Sequence, residues 1–454
     1  MSAAGFGGAA APTRQARSAE TRTRILDAAT AAFIRDGIAA VSLRDVAGLA
    51  GVTHPGLLRH FASKDALLGA VVERLDRANT DWIDEVEPAP GTLGMAALAE
   101  RNARTPGYLE LYTALAGEAT SPTHPAHEHL RERYARVRAA ITEQLAALPL
   151  GGDLVPATEA TLLIAAWDGL QLQQRYAPSL DLVAHLERHE RRLLGDPPPV
   201  DPGERSAPAE AIPPTVVVEE EPAGRLGRER RASIAASAIE LFARDGYHGT
   251  SLRELAERAG ISKSTLVHHI GTKDELLTAV LRLRDRRTIT PEPPGAEQAA
   301  EHLFALADAA DRTARDEPGL IGLYSVLSCE GATPGHPAHD YFARRFRESR
   351  RYFLSLLRRM RDEGTLREDR DPGHESAWLP AVWDGLQIQW SYDHSIDVGA
   401  HLRAYFRELV VPGCVADHAD HADLGDLGAS TGAEAPTPGR PAQAAATTAS
   451  SASP

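Results

Sequence analysis

Two segments of this chain repeat one another without a gap. Residues 42–68 read SLRDVAGLAGVTHPGLLRHFASKDALL, and residues 251–277 read SLRELAERAGISKSTLVHHIGTKDELL, at a constant offset of 209 residues. A period this long exceeds the roughly 20–50 residues of solenoid repeats. The pattern therefore indicates a duplicated domain rather than an array of small units.

The rest of each half repeats as well. Residues 106–127 match residues 318–339, and residues 167–186 match residues 383–402, so the offset grows to 212 and then to 216. Loops can accommodate the few inserted residues. Aromatic residues make up only 5% of the chain, and Ala, Leu and Arg, which favour helices, are abundant. We therefore expect an all-α protein built from two tandem units.

Each repeat carries the local signals of two short helices joined by a tight turn. In the first copy Ser42 and Asp45 form a predicted capping box, Gly51 permits the turn, and Thr53 caps the second helix. This is helix-turn-helix geometry, in which the second helix lies in the major groove of DNA. The second copy repeats the signals at Ser251, Glu254, Gly260 and Ser262.

The candidate DNA-binding residues lie on or beside these second helices. Lys64 and Lys273 begin a further helix, where free amides and an ammonium group suit a phosphate. The reading units are mildly basic in a chain of net charge −14, with nine Lys/Arg against seven Asp/Glu in residues 14–76, and eleven against eight in residues 225–285. DNA contact must therefore be local. The full set is Arg44, Thr53, His54, Gly56, Arg59, His60, Lys64, Arg253, Ser262, Lys263, Ser264, Thr265, His268, His269 and Lys273.

The sequence resembles the TetR family of bacterial transcription regulators. SLRDVAGLAGV and LLRHFASKDALL carry the resemblance in the first copy, and SLRELAERAGI and LVHHIGTKDELL carry it in the second. The motifs HPAH and WDGLQ in both second halves resemble the family's ligand-binding and dimerisation domain. The resemblance implies that the N-terminal helices bind DNA, that the remaining helices hold a ligand cavity, and that the last two helices pair as a four-helix bundle.

Both copies depart from the family's pattern. The family usually has a tyrosine two residues before the His of its HF pair, where this chain has Leu58 and Val267. The second copy has Ile270 in place of the aromatic residue, and Pro55 with Gly56 occupies the first turn of the first reading helix. One of the two heads could therefore be a structural relic.

The second halves supply candidate ligand-binding residues. The Trp, Asp and Gln of each WDGLQ motif would face a cavity, although ordinary bundle packing explains them equally well, and the tyrosines are equally plausible as core. A glycine within a helix costs roughly 1 kcal/mol relative to alanine, so Gly169 and Gly385 indicate close helix approach. The candidates are Tyr108, Tyr112, Trp167, Asp168, Gln171, Tyr324, Trp383, Asp384 and Gln387.

Other chemistries find little support in the sequence. His124 and His127, like His336 and His339, could share a metal, but no third ligand has suitable spacing. We therefore expect capping and packing at these histidines, with no metal and no cofactor. No Gly-rich phosphate loop, GxSxG, HExxH or paired CxxC motif occurs, so we expect no catalytic residues and no enzyme. The two cysteines suit a reducing cytoplasm, and no apolar run is long enough to span a membrane.

Composition places the domain boundaries. Pro-rich and acidic residues mark a linker between the halves, and an Ala/Ser/Thr/Pro-rich stretch ends the chain. The expected divisions are a disordered N-terminus (1–16), the first helix-turn-helix domain (17–76), the first regulatory domain (77–194), the linker (195–224), the second helix-turn-helix domain (225–285), the second regulatory domain (286–411) and a disordered tail (412–454).

These features predict a DNA-binding transcription regulator that works as a single-chain pseudo-dimer in the cytoplasm. Its partners would be double-stranded operator DNA and an unknown small-molecule effector, and its two halves would pair within one chain, with further self-association left open. We expect a ligand-responsive repressor on an asymmetric or imperfectly palindromic operator, although ligand-driven activation also remains open. The alternative is a small-molecule- or partner-binding protein in which one or both DNA-binding heads have lapsed.

Overall fold

The computed structural model describes residues 13–38, 41–85, 92–151, 154–200, 225–288, 299–333 and 335–414. Within these ranges the chain is helical and forms no β-strand. The expected disordered tail beyond residue 414, most of the expected linker, and the N-terminus before residue 13 lie outside the described residues. The expected domain boundaries stay predictions.

The described residues of the first half form nine helices. Their bounds are α1 (Arg14–Asp36), α2 (Leu43–Leu49), α3 (His54–Leu58), α4 (Lys64–Glu85), α5 (Met95–Arg104), α6 (Tyr108–Glu118), α7 (His127–Ala146), α8 (Pro156–Tyr176) and α9 (Leu182–Leu193).

The described residues of the second half repeat this order. The helices are α10 (Arg225–Gly249), which is kinked at Gly246, α11 (Leu252–Arg258), α12 (Lys263–Ile270), α13 (Lys273–Thr288), α14 (Ala299–Asp316), α15 (Pro318–Glu330), α16 (His339–Asp362), α17 (Pro372–Tyr392) and α18 (Val398–Leu409).

The predicted caps and turns of the two heads are confirmed. The Ser42 hydroxyl accepts from the Asp45 amide, and the Asp45 carboxylate accepts from the Ser42 amide, so the predicted capping box is complete. Gly51 has φ 63°, a left-handed conformation that glycine adopts without steric cost. The equivalent features of the second head are present at Ser251, Glu254 and Gly260 (φ 66°).

Equivalent apolar residues hold both heads together. Helices α2, α3, α11 and α12 have eight residues or fewer, and helices of that length are not stable alone in water. Burial of one apolar face against the neighbouring helices therefore has to stabilise them. Each fully buried Leu, Val, Ile or Phe contributes about 1.5–3 kcal/mol. The first head buries Ile25, Phe33, Val46, Leu57 and Leu67, and the second buries Ile234, Phe242, Leu255, Leu266 and Leu276.

One continuous helix connects each head to its body, by which we mean α5–α9 in the first half and α14–α18 in the second. Helix α4 runs past the expected boundary at residue 76 as far as Glu85, and α13 runs past residue 285 as far as Thr288. A displacement of either helix inside the body must therefore also move the head.

The two halves pack against each other through α8 and α17. A Cβ atom added to Gly169 would lie 2.0 Å from the Ala381 carbonyl oxygen, and one added to Gly385 would lie 1.9 Å from the Ala165 carbonyl oxygen. The glycines of both WDGLQ motifs therefore allow the two backbones to touch, as their position within a helix predicted. Helices α6 and α15 form a second contact, where Gly117 approaches Cys329.

Glutamine side chains join the same two helices. The Gln173 amide donates to the Ala377 carbonyl at 3.3 Å, and the Gln389 amide donates to the Thr161 carbonyl at 3.0 Å. Both glutamines are buried, so these bonds satisfy polar groups that would otherwise be costly to desolvate. The glycine and glutamine contacts of α8 each recur at the equivalent position of α17, which defines an approximate twofold relation between the two helices.

Candidate nucleic-acid interface and regulatory core

The two reading helices begin with the predicted caps but differ in length. The Thr53 hydroxyl accepts from the Gly56 amide, and the Ser262 hydroxyl accepts from the Thr265 amide, each at 3.1 Å. Helix α3 then has five residues, with Pro55 in its first turn, whereas α12 has eight. The second head therefore presents the longer reading surface.

Most predicted DNA-binding side chains reach solvent on the two heads. A groove-reading helix must expose its outward residues, and this requirement is met in both copies apart from Gly56, which is buried. The exposed residues are Arg44, Thr53, Arg59, Arg253, Ser262, Lys263, Ser264 and His268, and the half-buried ones are His54, His60, Lys64, Thr265, His269 and Lys273. Arg253 also forms an exposed ion pair with Glu257.

The apolar replacements for the family's tyrosine face outward. Leu58 is 39% exposed and Val267 is 41% exposed. Neither side chain can donate a hydrogen bond to a phosphate, but each can make apolar contact with a thymine methyl group.

The two predicted phosphate-binding lysines lie where head and body meet. Burial lowers the pKa of Lys64, while Glu118 favours its charged form; burial likewise lowers the pKa of Lys273, opposed by Glu330. The Lys273 ammonium also lies 4.1 Å from the centroid of the Tyr247 ring. Their role at phosphates stays a prediction.

The predicted ligand-binding residues of the first body lie in a packed interior. Tyr108 and Tyr112 are buried and stack with their ring centroids 5.9 Å apart, and Trp167 is half-buried against the core. Asp168 accepts a 2.7 Å hydrogen bond from the Tyr134 hydroxyl. Gln171 is 2% exposed, and neither polar atom of its amide has a hydrogen-bond partner among the described residues.

The second body places its candidates in a different polar setting. Tyr324 is buried, with the Arg284 guanidinium 4.0 Å and the Arg345 guanidinium 5.2 Å from its ring centroid. Asp384 and Gln387 lie buried in α17, and Trp383 is half-buried. Burial raises the pKa of Asp384 to about 6, although Arg345 and Arg284 oppose the shift. Burial also raises the pKa of Asp168 to about 6, opposed by the Tyr134 hydrogen bond.

An ion pair that the sequence analysis missed joins head to body in both halves. Asp76 of α4 accepts from Arg133 Nε of α7 at 2.7 Å, and Asp285 of α13 accepts from Arg345 Nη1 of α16 at 2.7 Å. Burial opposes the charge of Asp76, yet its hydrogen bond from His129 and the nearby Arg133 keep its pKa lowered. The Asp and Arg of the first pair occupy the same repeat positions as those of the second pair. This recurrence in the sequence is the signal that could have revealed both pairs.

Arg133 connects this ion pair to the candidate ligand residues. Its Nη1 atom donates to the Tyr112 hydroxyl at 2.6 Å, so one guanidinium contacts both the middle of α4 and a residue of the predicted cavity wall.

The histidines of the HPAH motifs act partly as caps. The Nδ1 atoms of His124 and His336 accept from the amides of Ala126 and Ala338 at 3.2 and 3.1 Å. His339 instead faces the Gly331 carbonyl through Nδ1. Burial lowers the pKa of both His124 and His336 to about 4, so both rings are neutral at pH 7.

A cleft with a volume of about 120 Å³ lies where the first head, the first body and the second half meet. The carboxyl groups of Asp36, Glu110, Glu118 and Glu330 line it, together with Arg175. Burial raises the pKa of Glu118 to about 8, and the nearby Glu330 adds to the shift. None of the predicted ligand-binding residues lines this cleft.

The two capped helix pairs, each connected to a helical body, place the chain in the class of helix-turn-helix proteins. The model of the N-terminal domain of the tetR family of bacterial regulatory proteins matches residues 25–71 and 234–280. The two heads are therefore DNA-binding domains of the TetR family, which this chain carries twice as a tandem duplication.

The similar proteins are transcription regulators, and each of them matches over a short segment. The activator FasR of Mycolicibacterium smegmatis is 44% identical over 71 residues, which are 14% of this chain and 32% of FasR. The regulator RutR of Escherichia coli is 40% identical over 53 residues (12% of this chain, 25% of RutR). The repressor Rv3405c of Mycobacterium tuberculosis is 41% identical over 70 residues (15% and 37%). The matched segments thus span between a quarter and just over a third of these relatives' length.

Among solved structures, a TetR-family regulator from Agrobacterium tumefaciens is 17% identical with a TM-score of 0.37, covering 41% of this chain and all of that protein. Among the described residues, no helix combines the length and the apolar character that crossing a membrane requires.

Proposed function

We propose that this chain is a DNA-binding transcription regulator that acts as a single-chain pseudo-dimer, and that it is a ligand-responsive repressor. The observation that carries the proposal is the presence of two capped reading helices, each with an exposed polar face, on halves that pack together through α8 and α17. A homodimer would need two chains to present two such helices.

The operator should be asymmetric or imperfectly palindromic. Two identical reading helices select two identical half-sites, but here the outward residues differ. Lys263 can donate to guanine edges and Ser264 can read more than one base, whereas the equivalent His54 and Pro55 offer a narrower set of contacts.

Effector binding would act through the polar interior of the body. The buried Gln171 amide, which lacks a hydrogen-bond partner among the described residues, would bind a polar group of the ligand. A ligand that drew Arg133 or Tyr112 away from their present partners would loosen the ion pair to Asp76 and so release α4. The ligand weakens DNA binding only if it binds more tightly to the conformation in which α4 is released.

Selection of binding sites from random DNA, followed by gel shifts at several salt concentrations, tests the proposal. We expect a preferred asymmetric site and an affinity that falls steeply with salt, because each neutralised phosphate releases counterions. DNA upstream of the chain's own gene should contain a related site. Weak binding with no preferred sequence would contradict the proposal.

The second candidate is a ligand- or partner-binding protein whose heads have lapsed. The outward Leu58 and the five-residue α3 favour it for the first head. It predicts that the selection recovers no sequence, while the bodies still bind a small molecule.

A further inference from the structure

Three side chains with metal-binding atoms meet at the joint between the second head and its body. His248 lies at the end of α10, Glu330 is the last residue of α15, and His336 lies in the turn before α16. One ligand atom of each residue lies within 4.8 Å of the others. His248 is exposed, whereas Glu330 and His336 are buried.

His336 provides an independent sign that the cluster has a ligand. The residue is 6% exposed, and its Nε2 atom has no hydrogen-bond partner among the described residues. That atom faces Glu330 Oε1 at 3.9 Å, which is too far for a hydrogen bond. A buried ring nitrogen left without a partner is uncommon in folded proteins and calls for a physical explanation.

The Glu330 carboxylate is already held in place. Its Oε1 atom accepts from the His248 amide at 2.9 Å, and its Oε2 atom accepts from the Tyr247 amide at 2.6 Å. A carboxylate offers about four lone-pair positions, so both oxygens can still bind a cation. Gly246 allows this approach, because a Cβ atom there would lie 2.9 Å from Glu330 Oε2.

We propose that His248, Glu330 and His336 bind one divalent transition-metal ion of the zinc class, with solvent in the remaining position. Two imidazoles and a carboxylate are a donor set that zinc uses elsewhere, at metal–ligand distances of about 2.0–2.2 Å. Tetrahedral binding brings the ligand atoms to roughly 3.4 Å from one another, and the exposed His248 side chain can rotate to close the gap.

Metal binding has one identifiable cost. Coordination through Nε2 places the ring proton of His336 on Nδ1, so the Ala338 amide loses its acceptor. A lost hydrogen bond of this kind costs about 1–3 kcal/mol, which is small beside the roughly 10–16 kcal/mol measured for structural zinc in small domains.

The first half supplies an internal control. Glu118 and His124 occupy the positions equivalent to Glu330 and His336, but the sequence has Ala39 where the second half has His248. The duplicated chain should therefore bind one ion, not two. An ion at the second joint would tie the end of α10 to the end of α15 and so fix one head on its body.

Titration of the chelator-treated, full-length chain with Co²⁺ tests the proposal, since tetrahedral Co²⁺ has characteristic visible absorption. We expect one Co²⁺ per chain, displaced by Zn²⁺. His248→Ala should weaken Co²⁺ binding by at least about tenfold, because loss of even an outer-shell partner typically costs 10–100-fold. His248 is exposed, so this variant should fold, which circular dichroism can verify. The matched variant His124→Ala should bind Co²⁺ as the parent does.

Three outcomes would overturn the assignment. They are binding of two ions per chain, equal loss in His124→Ala and His248→Ala, and loss of binding only when His418 and His421 of the C-terminal tail are both replaced with alanine.

Discussion

The two halves share one scaffold but present different surfaces to DNA. Caps, turn glycines and core residues recur at equivalent positions in both heads, whereas α3 carries the exposed Pro55 where α12 carries the exposed Ser264. Packing restricts which residues can occupy the inward positions of a head. The outward positions are restricted only by the molecules that they contact. Their divergence is what the proposed asymmetric operator requires of the two heads.

The interface between the halves has diverged in another way. Arg192 of α9 and Glu408 of α18 occupy equivalent positions and form an ion pair at 2.7 Å, with side chains only 12% and 16% exposed. In a symmetric homodimer, equivalent residues that meet on the axis are identical and so would repel one another. The opposite charges favour pairing of a first half with a second half over pairing of two identical halves.

Reversal of one of these charges should have the largest effect. Arg192→Glu would place a third carboxylate beside Glu408 and Glu159, since Arg192 lies 3.7 Å from Glu159 as well. We expect a loss of about 3–5 kcal/mol in the free energy of unfolding, as for other broken buried ion pairs, measured by urea denaturation. The exposed Arg136→Glu change is the control, because Arg136 forms only a surface pair. A loss below about 1 kcal/mol in Arg192→Glu would mean that the pair does not discriminate between the halves.

The interface glycines should respond equally in the two halves. Gly169→Ala and Gly385→Ala each force a Cβ atom against a backbone carbonyl across the interface. Overpacking typically costs about 1–3 kcal/mol, partly offset by the roughly 1 kcal/mol that alanine gains over glycine in a helix. Because the clashing atoms belong to the backbone, the cost should lie at the upper end of this range, and we expect each variant to lose about 2 kcal/mol in the net free energy of unfolding. Gly48→Ala is the control, because a Cβ atom there meets nothing within 4 Å.

A head exchange should make the two reading surfaces the same. Replacement of residues 262–269 with residues 53–60 should convert the selected site toward a palindrome of the first head's half-site. Each lost base contact should cost about 1–3 kcal/mol on the original operator. Perfect palindromes selected by the unaltered chain would contradict the proposed difference between the heads, since they imply two chains each using the same head.

The sequence predicted the heads better than the bodies. The caps at Ser42 and Thr53 depend on neighbours within three residues, so a local pattern reveals them. The Asp76–Arg133 ion pair and the meeting of His248 with Glu330 join residues far apart in the chain. Their partners are set by how helices pack, which local patterns do not specify. The glycines of WDGLQ predicted a close approach but not the helix they approach.

The buried aspartates should give both halves the same pH dependence through different neighbours. The pKa of Asp168, beside Tyr134, and that of Asp384, near Arg345, are both raised to about 6. Because the folded pKa exceeds the unfolded value, the contribution to stability is complete below about pH 4 and is lost as the pH rises through 6.

Two pKa units correspond to roughly 2–3 kcal/mol per group. Asp168→Asn and Asp384→Asn mimic the protonated carboxyl group, so each should reduce the fall in the free energy of unfolding between pH 4 and pH 7 by a similar amount. Urea denaturation across this range provides the measurement. A fall that is unchanged in both variants would show that other groups cause it.

The smallest difference between the two halves should appear in the contributions of Lys64 and Lys273 to DNA binding. Lys64→Ala should weaken binding to all DNA sequences alike and reduce the slope of log affinity against log salt by about one unit, as expected for one lost phosphate contact. Lys273→Ala should have a smaller effect, because the Lys273 ammonium lies over Tyr247 and must give up roughly 0.5–1 kcal/mol of cation–π attraction to reach a phosphate. The residue equivalent to Tyr247 in the first half is Ile38, which offers no such attraction. Tyr247→Ile should therefore raise the contribution of Lys273 toward that of Lys64. A changed sequence preference with an unaltered salt slope would instead place these lysines at base edges.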